Sequence, residues 1–324
     1  MRRGAAGLVL VVVMGSLVLG LCAGAVPLSP GEVWTGLWSG SGSTSVIVRD
    51  LRLPRVLLAF LVGGSLATCG AALQAMIRNP LAEPYLLGLS GGAGLGAVVA
   101  LASRSAGPWA VPVAAFIGAL AAVGLVYRLS LVAGRRLDPR VLLLAGVVVG
   151  SFAGALMSAI IVLSDAPTVR NAFLWLLGGF GSASWQALAV FAAYAVLPLA
   201  TIGLSARPLD LIALGEEPAH HLGVDVERIR RTLYLCTALL TAASVAACGI
   251  IGFVGLVVPH AIRTIARPIH RTLLPLVFAG GGAFLVLSDV VSRTIVRPIE
   301  LPVGVITALV GVPIFALLLR RSVA

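Results

Sequence analysis

The sequence predicts an all-α integral membrane protein that crosses the bilayer ten times, with both termini on the cytoplasmic side. Three observations carry that expectation. Of 324 residues, 59% are hydrophobic and only 11% charged, and the mean hydropathy is +1.08. No globular core conceals that much apolar surface, whereas a bilayer does. The 38 glycines suit helices that pack closely in lipid, where small residues let backbones approach. The hydrophobic pattern is continuous or helical and lacks the alternating segments of a transmembrane barrel. The chain, 1–324, reads as one transmembrane domain.

Apolar runs of spanning length fall near 5–26, 56–76, 86–103, 109–133, 141–163, 187–204, 232–250, 272–292 and 302–319. The first reads as an uncleaved span with Arg2 and Arg3 inside, because Leu21 before Cys22 is too bulky for a cleavage site. Within the third, the glycines at 88, 91, 92, 94 and 96 fit close helix packing or a flexible break lining a pathway; no strand precedes them, as a phosphate loop requires. The stretch 164–186 is too long for a tight turn and carries Trp175 and Trp185, so a short external helix is expected there. A further stretch, 251–265, is short and contains Pro259, and hydropathy alone leaves it open. Charge decides. If it spans, the arginines divide 16 inside to 7 outside; if not, 13 to 10, so ten spans obey the positive-inside rule better.

The longest polar interruption is ARPLDLIALGEEPAHHLGVDVERIRR, about 206–231, which holds five of the twelve carboxylates and four arginines. The charge rule places it on the cytoplasmic side, where it is the main surface offered to a soluble partner. All 23 basic residues are arginine, so a GxxxxGK[ST] phosphate loop is excluded and nucleotide hydrolysis by that route cannot reside in this chain. The net charge of +11 follows from cytoplasmic arginines and does not require nucleic acid. Cys22, Cys69, Cys236 and Cys248 lie in apolar runs without CxxC spacing and read as small buried hydrophobes. His220 and His221 are adjacent, not a turn apart, and neither they nor His260 and His270 form a metal set. No hydrolase motif is present. Neither a catalytic residue nor a cofactor or metal site is expected.

Seven arginines fall outside under this topology: Arg49, Arg52, Arg55, Arg104, Arg170, Arg293 and Arg297. Two readings stand. An outward cluster would meet carboxylates on an extracytoplasmic partner; alternatively Arg52 and Arg55 anchor a helix end and Arg293 pairs with Asp289 one turn earlier. Asp289 and Glu300 lie near the outer face and Asp165 in an outer loop. The spans therefore lack the midplane acid relay usual in an ion-coupled secondary carrier, the alternative function for such a chain, as is a channel acting without an ATPase.

Five stretches together resemble the FecCD/BtuC-type permeases of ABC importers for iron–siderophore, haem and cobalamin: RLPRVLLAFLVGGSLATCGAALQAMIRNPLAEPYLLGLSGGAGLGA (52–97), LGEEPAHHLGVDVERIR (214–230), GFVGLVVPHAIR (252–263), HRTLLP (270–275) and ELPVGVITALVGVPIFALLLRR (300–321). The resemblance covers nearly the whole chain. It implies the ten-helix fold of type II importers, a homodimer in the bacterial cytoplasmic (inner) membrane, two separate ATPase subunits inside, a substrate-binding protein outside, and a metal chelate as substrate. It also implies that Leu214, Gly215, Ala219, Leu222 and Gly223 couple to the ATPase, that Arg52, Arg55 and Arg293 dock the binding protein, and that the fifth helix, about Val141 to Leu163, lines the pathway. Arg297 is an extra outward charge beside Arg293, and the His220–His221 pair is not part of the coupling pattern; neither is assigned a role.

Overall fold

The structure, a computed structural model, describes residues 3–38, 42–104, 107–134, 138–267 and 269–323; Arg2, one of the two expected first-span charges, lies outside them. These residues form α1 (Arg3–Cys22), α2 (Pro30–Trp38), α3 (Ser43–Val46), α4 (Leu53–Ile77), α5 (Leu89–Ala102), α6 (Ala110–Gly134), α7 (Pro139–Val162), α8 (Ala166–Leu176), α9 (Trp185–Leu204), α10 (Ala206–Leu214), α11 (Glu216–His221), α12 (Val226–Cys248), α13 (Val254–Ile265), α14 (His270–Thr294) and α15 (Val303–Val323). A π-helical turn, Ile47–Arg52, runs directly into α4, and a 3₁₀ turn, Pro84–Leu87, precedes α5. Among the described residues, seven helices are long and apolar enough to cross a membrane; α5, α13 and α15 add three shorter apolar ones.

The helix α4 forms the centre. It is the most buried of the seven and packs on α14, α13, α12 and α9, while α5 nests between α6 and α7 and α1 lies along α14. Glycine explains how α4 and α5 can be so enclosed. A methyl group at Gly63 would collide with the carbonyl of Gly281 on α14, and one at Gly96 with the carbonyl of Ala114 on α6. These crossings bring backbones into contact, which is how helices gain packing energy in lipid. Gly96→Leu is accordingly expected to abolish accumulation of monodisperse protein, whereas Gly124→Ala, where the added carbon meets nothing, should leave it unchanged; size-exclusion of detergent-solubilised protein reads the difference.

Two expectations change in detail. The run at 86–103 becomes a shorter helix, because Gly88 takes φ +77° and separates the 3₁₀ turn from α5. The polar interruption at 206–231 is not an open loop: it is a helical hairpin, α10 and α11, followed by the first turns of α12. The helix α2 was not expected, although its signal is in the sequence. Ser29 and Glu32 form a reciprocal capping box, with the Ser29 N–H donating to the Glu32 carboxylate at 2.7 Å and the Glu32 N–H to the Ser29 hydroxyl at 3.3 Å, ahead of Pro30 as the first helical residue. In the 164–186 stretch, Asp165 caps α8 by accepting the Thr168 N–H at 3.2 Å and pairs with Arg104 at 2.8 Å. The hydrogen bonds from Thr168, helped by Arg104, hold its carboxyl below the usual carboxylate range.

Candidate functional site

Two clusters of charge occupy opposite ends of α14. The first gathers around Asp289, which is 1% exposed. Arg55 donates to its carboxylate through Nε at 3.1 Å and Nη2 at 2.9 Å, and Arg293 pairs with it from one turn further along α14 at 3.0 Å. The Arg55 guanidinium also forks onto Glu300, at 2.8 and 3.2 Å. Glu300 is half-exposed, at the rim of a cavity of ≈ 440 Å³ lined in part by Arg55, Trp175, Phe180 and Val303.

Arg52 and Arg293 spend their remaining donors on the end of α1. A helix C-terminus leaves its last carbonyls without intrahelical partners, and guanidinium groups are good partners for them. Arg52 donates to the carbonyls of Leu21 at 2.6 Å, Cys22 at 2.9 Å and Val26; Arg293 donates to those of Gly20 at 3.2 Å and Ala23 at 3.0 Å. Both are 6% exposed. The structure thus brings together the three arginines read from the sequence, with the Arg293–Asp289 pairing among their contacts. It also gives all three internal partners. Arg297, by contrast, is exposed.

The second cluster is the α10–α11 hairpin. Gly215, at φ +133°, joins its two helices, and Gly223, at φ +82°, turns the chain toward α12; both φ values lie where a side chain is strained. Ala219 is fully buried against Ile212 and Val226. Leu214 and Leu222 point the other way, 72% and 63% exposed. The five expected coupling residues therefore divide into two exposed apolar knobs, two glycine turns and one packing residue. His220 and His221 contact each other edge-on at 6.4 Å.

Sequence reasoning missed the contacts that hold this hairpin. Glu216 pairs with the buried Arg230 of α12 at 2.5 Å, beside a cavity of ≈ 650 Å³ lined also by Arg78, Asp138 and Arg140. Asp210 reaches α14 at His270. A third contact joins the breaks between membrane helices: Glu83, just before the 3₁₀ turn, accepts the N–H of Phe253 at 2.6 Å, and the Tyr85 hydroxyl accepts that of Ile251 at 3.3 Å. These bonds satisfy backbone donors at the start of α13 that would otherwise be orphaned.

A helical membrane bundle with a polar hairpin at one end and no nucleotide-binding loop has the build of a transporter's membrane subunit. The comparisons give the class. The model of the FecCD transport family matches residues 9–321. The chain is 40% identical to the vitamin B12 import system permease protein BtuC of Klebsiella pneumoniae, over 99% of this chain and 94% of the relative. It is 41% identical to the hemin transport system permease protein HmuU of Yersinia pestis, over 88% and 87%. A solved structure described as an inward-facing conformation of a metal-chelate type ABC transporter superposes with a TM-score of 0.88 at 27% identity, covering 99% of this chain and all of that one. The fold and these matches define the multi-pass, non-catalytic membrane permease of a bacterial ABC importer. The chain belongs to the FecCD transport family.

Proposed function

We propose that this permease carries a metal chelate of the iron–siderophore, haem or cobalamin type across the cytoplasmic membrane as a homodimer, driven by two cytoplasmic ATPase subunits and supplied by an extracytoplasmic binding protein. The observation that carries the reading is the α10–α11 hairpin, which presents Leu214 and Leu222 outward from a packed base. Apolar knobs on a braced, charged surface are what a protein–protein contact needs, and this hairpin opens the longest polar interruption in the sequence. The ten apolar helices, with 16 arginines inside to 7 outside, support ten spans with both termini cytoplasmic, and so place the hairpin with the ATPases. The helix α7 leaves Leu144, Val147, Val148 and Phe152 unpacked, a face suited to line a pathway against the second copy. The domain plan follows: one membrane unit over 1–324, with a coupling hairpin at 206–231 and the short helix within 164–186 outside.

Arg52, Arg55 and Arg293 then lie at the extracytoplasmic end, and their geometry supports a division of labour in docking. Arg52 and Arg293 hold the end of α1 and shape the surface; Arg55 at the Glu300 rim, with exposed Arg297, meets carboxylates on the binding protein. Arg297→Glu is expected to weaken binding-protein association several-fold at low salt, with the difference shrinking at high salt as exposed charges are screened. Surface binding of the substrate-loaded binding protein to permease in nanodiscs measures it; equal affinities at both salts would remove Arg297 from the docking surface. Purified alone, the chain should hydrolyse no ATP.

A further inference from the structure

The helix α14 begins at His270 without a side-chain cap from the residue before it, Ile269. The missing cap comes from the hairpin. Asp210, on α10, accepts the backbone N–H of His270 at 2.9 Å and its imidazole Nδ1 at 2.6 Å, both on the same Oδ1. His270 is 4% exposed, and its Nε2 is buried without a hydrogen-bond partner among the described residues, so the Nδ1–H tautomer is the one that serves the carboxylate. A carboxylate at a helix N-terminus also gains from the helix dipole. The apolar face of α10 (Ala206, Leu209 and Ile212) is buried, and α10 packs against α14 and α4. The hairpin is thus fastened on two sides: by Glu216–Arg230 to α12, the helix that follows it directly, and by Asp210–His270 to a helix 60 residues away.

What α14 touches at its other end gives this clasp its meaning. A helix of 25 residues is about 37 Å long at 1.5 Å per residue, so α14 spans the bundle. Near its far end it carries Asp289 and Arg293, the centre of the arginine cluster. Between the ends, Gly281 sits backbone-to-backbone on Gly63 of α4, which keeps the two helices in close contact along their crossing. One helix therefore joins the hairpin to the cluster.

We propose that Asp210 and His270 are positioning residues that transmit displacement of the hairpin into α14, linking events at the ATPase contact to the Arg55–Asp289–Arg293 end. The inference rests on the coupling role of the hairpin proposed above. Coupling between sites needs an element that both can bias, and α14 is the helix that both clusters grip.

The test uses the complete importer, permease with its ATPase subunits and binding protein, in proteoliposomes. Uptake per ATP hydrolysed, stimulation of hydrolysis by the binding protein, and co-purification of the ATPase are measured for Asp210→Ala, Asp210→Asn and Leu222→Asp. Asp210→Ala should retain the ATPase and basal hydrolysis, yet lose about tenfold in uptake per ATP and most of the stimulation. Asp210→Asn, which keeps the Oδ1 acceptor, should stay within about twofold of the parent. Leu222→Asp should instead lose the ATPase. Wild-type stoichiometry and stimulation in Asp210→Ala, with Leu222→Asp detached, would overturn the clasp alone; an intact complex and full uptake in Leu222→Asp would overturn the coupling reading beneath it. An Asn variant as uncoupled as the Ala variant would also overturn the clasp, because the hydrogen-bonded link would then be irrelevant. Should Asp210→Ala not assemble, His270→Ala, which leaves the backbone cap in place, decides: partial uncoupling supports the proposal and unchanged stoichiometry contradicts it.

Discussion

Asp289→Ala is expected to leave little folded permease. The carboxylate is almost wholly buried and faces two guanidinium groups, Arg55 and Arg293. Removing it leaves two like charges in a low-dielectric site with one remaining acid, Glu300, which hydrogen-bonds Arg55. Breaking a buried pair from one side costs about 3–5 kcal/mol, because the surviving charge remains desolvated and uncompensated. That is a large part of the stability of an ordinary domain. The effect should reach α1, whose terminal carbonyls depend on Arg293 and Arg52. Glu300→Gln removes a half-exposed partner of the same Arg55 and should cost about 1 kcal/mol or less. Thermal unfolding of the two variants in one detergent checks the contrast. If Asp289→Ala melts with the parent, the cluster does not hold the fold and the division of labour among its arginines fails.

Leu222→Asp is the second large effect, and it should leave folding untouched. The side chain is mostly exposed in the isolated subunit, so little internal packing is lost. At a partner surface the same change buries a charge in place of an apolar anchor. Truncating such anchors commonly costs about 2 kcal/mol or more, roughly a thirtyfold loss of affinity, and a buried unpaired charge costs more. ATPase subunits should then fail to co-purify and uptake should fall to background. Gly215→Leu should reach the same end by another route: φ of +133° is strained for any side chain by about 1–3 kcal/mol, so the hairpin loses its turn and the two knobs lose their spacing. Pull-down of the ATPase by each variant, with an unchanged melting temperature for Leu222→Asp, is the check; normal attachment would mean the contact lies elsewhere.

How much of this was visible in the sequence depends on the range of each signal. Helix identity was legible because hydropathy is local and membrane helices must satisfy their own backbone; the stretch at 251–265, which hydropathy left open, holds the short helix α13. The glycine run of α5 could be read as packing because close crossings in lipid favour small residues. The arginine cluster was legible as a set but not in its use. The sequence places Arg52, Arg55 and Arg293 near one end of the bundle, yet whether they face a partner or the open end of α1 depends on rotations across separations of up to 273 residues. The same limit hid Asp210–His270, 60 residues apart, and Glu83–Phe253, 170 apart. The helix α2 was missed for a different reason: its capping box is explicit, but a nine-residue helix between spans is too short for hydropathy to register.

The central claim is that the chain is a conduit moved by partners and not a carrier with its own energy source. Uptake of a radiolabelled metal chelate into proteoliposomes tests it most directly, comparing permease with its ATPase subunits, ATP inside and binding protein outside, against permease alone under a proton or sodium gradient. The account predicts uptake in the first vesicles that stops without ATP, and none in the second. Gradient-driven accumulation by the permease alone would contradict it.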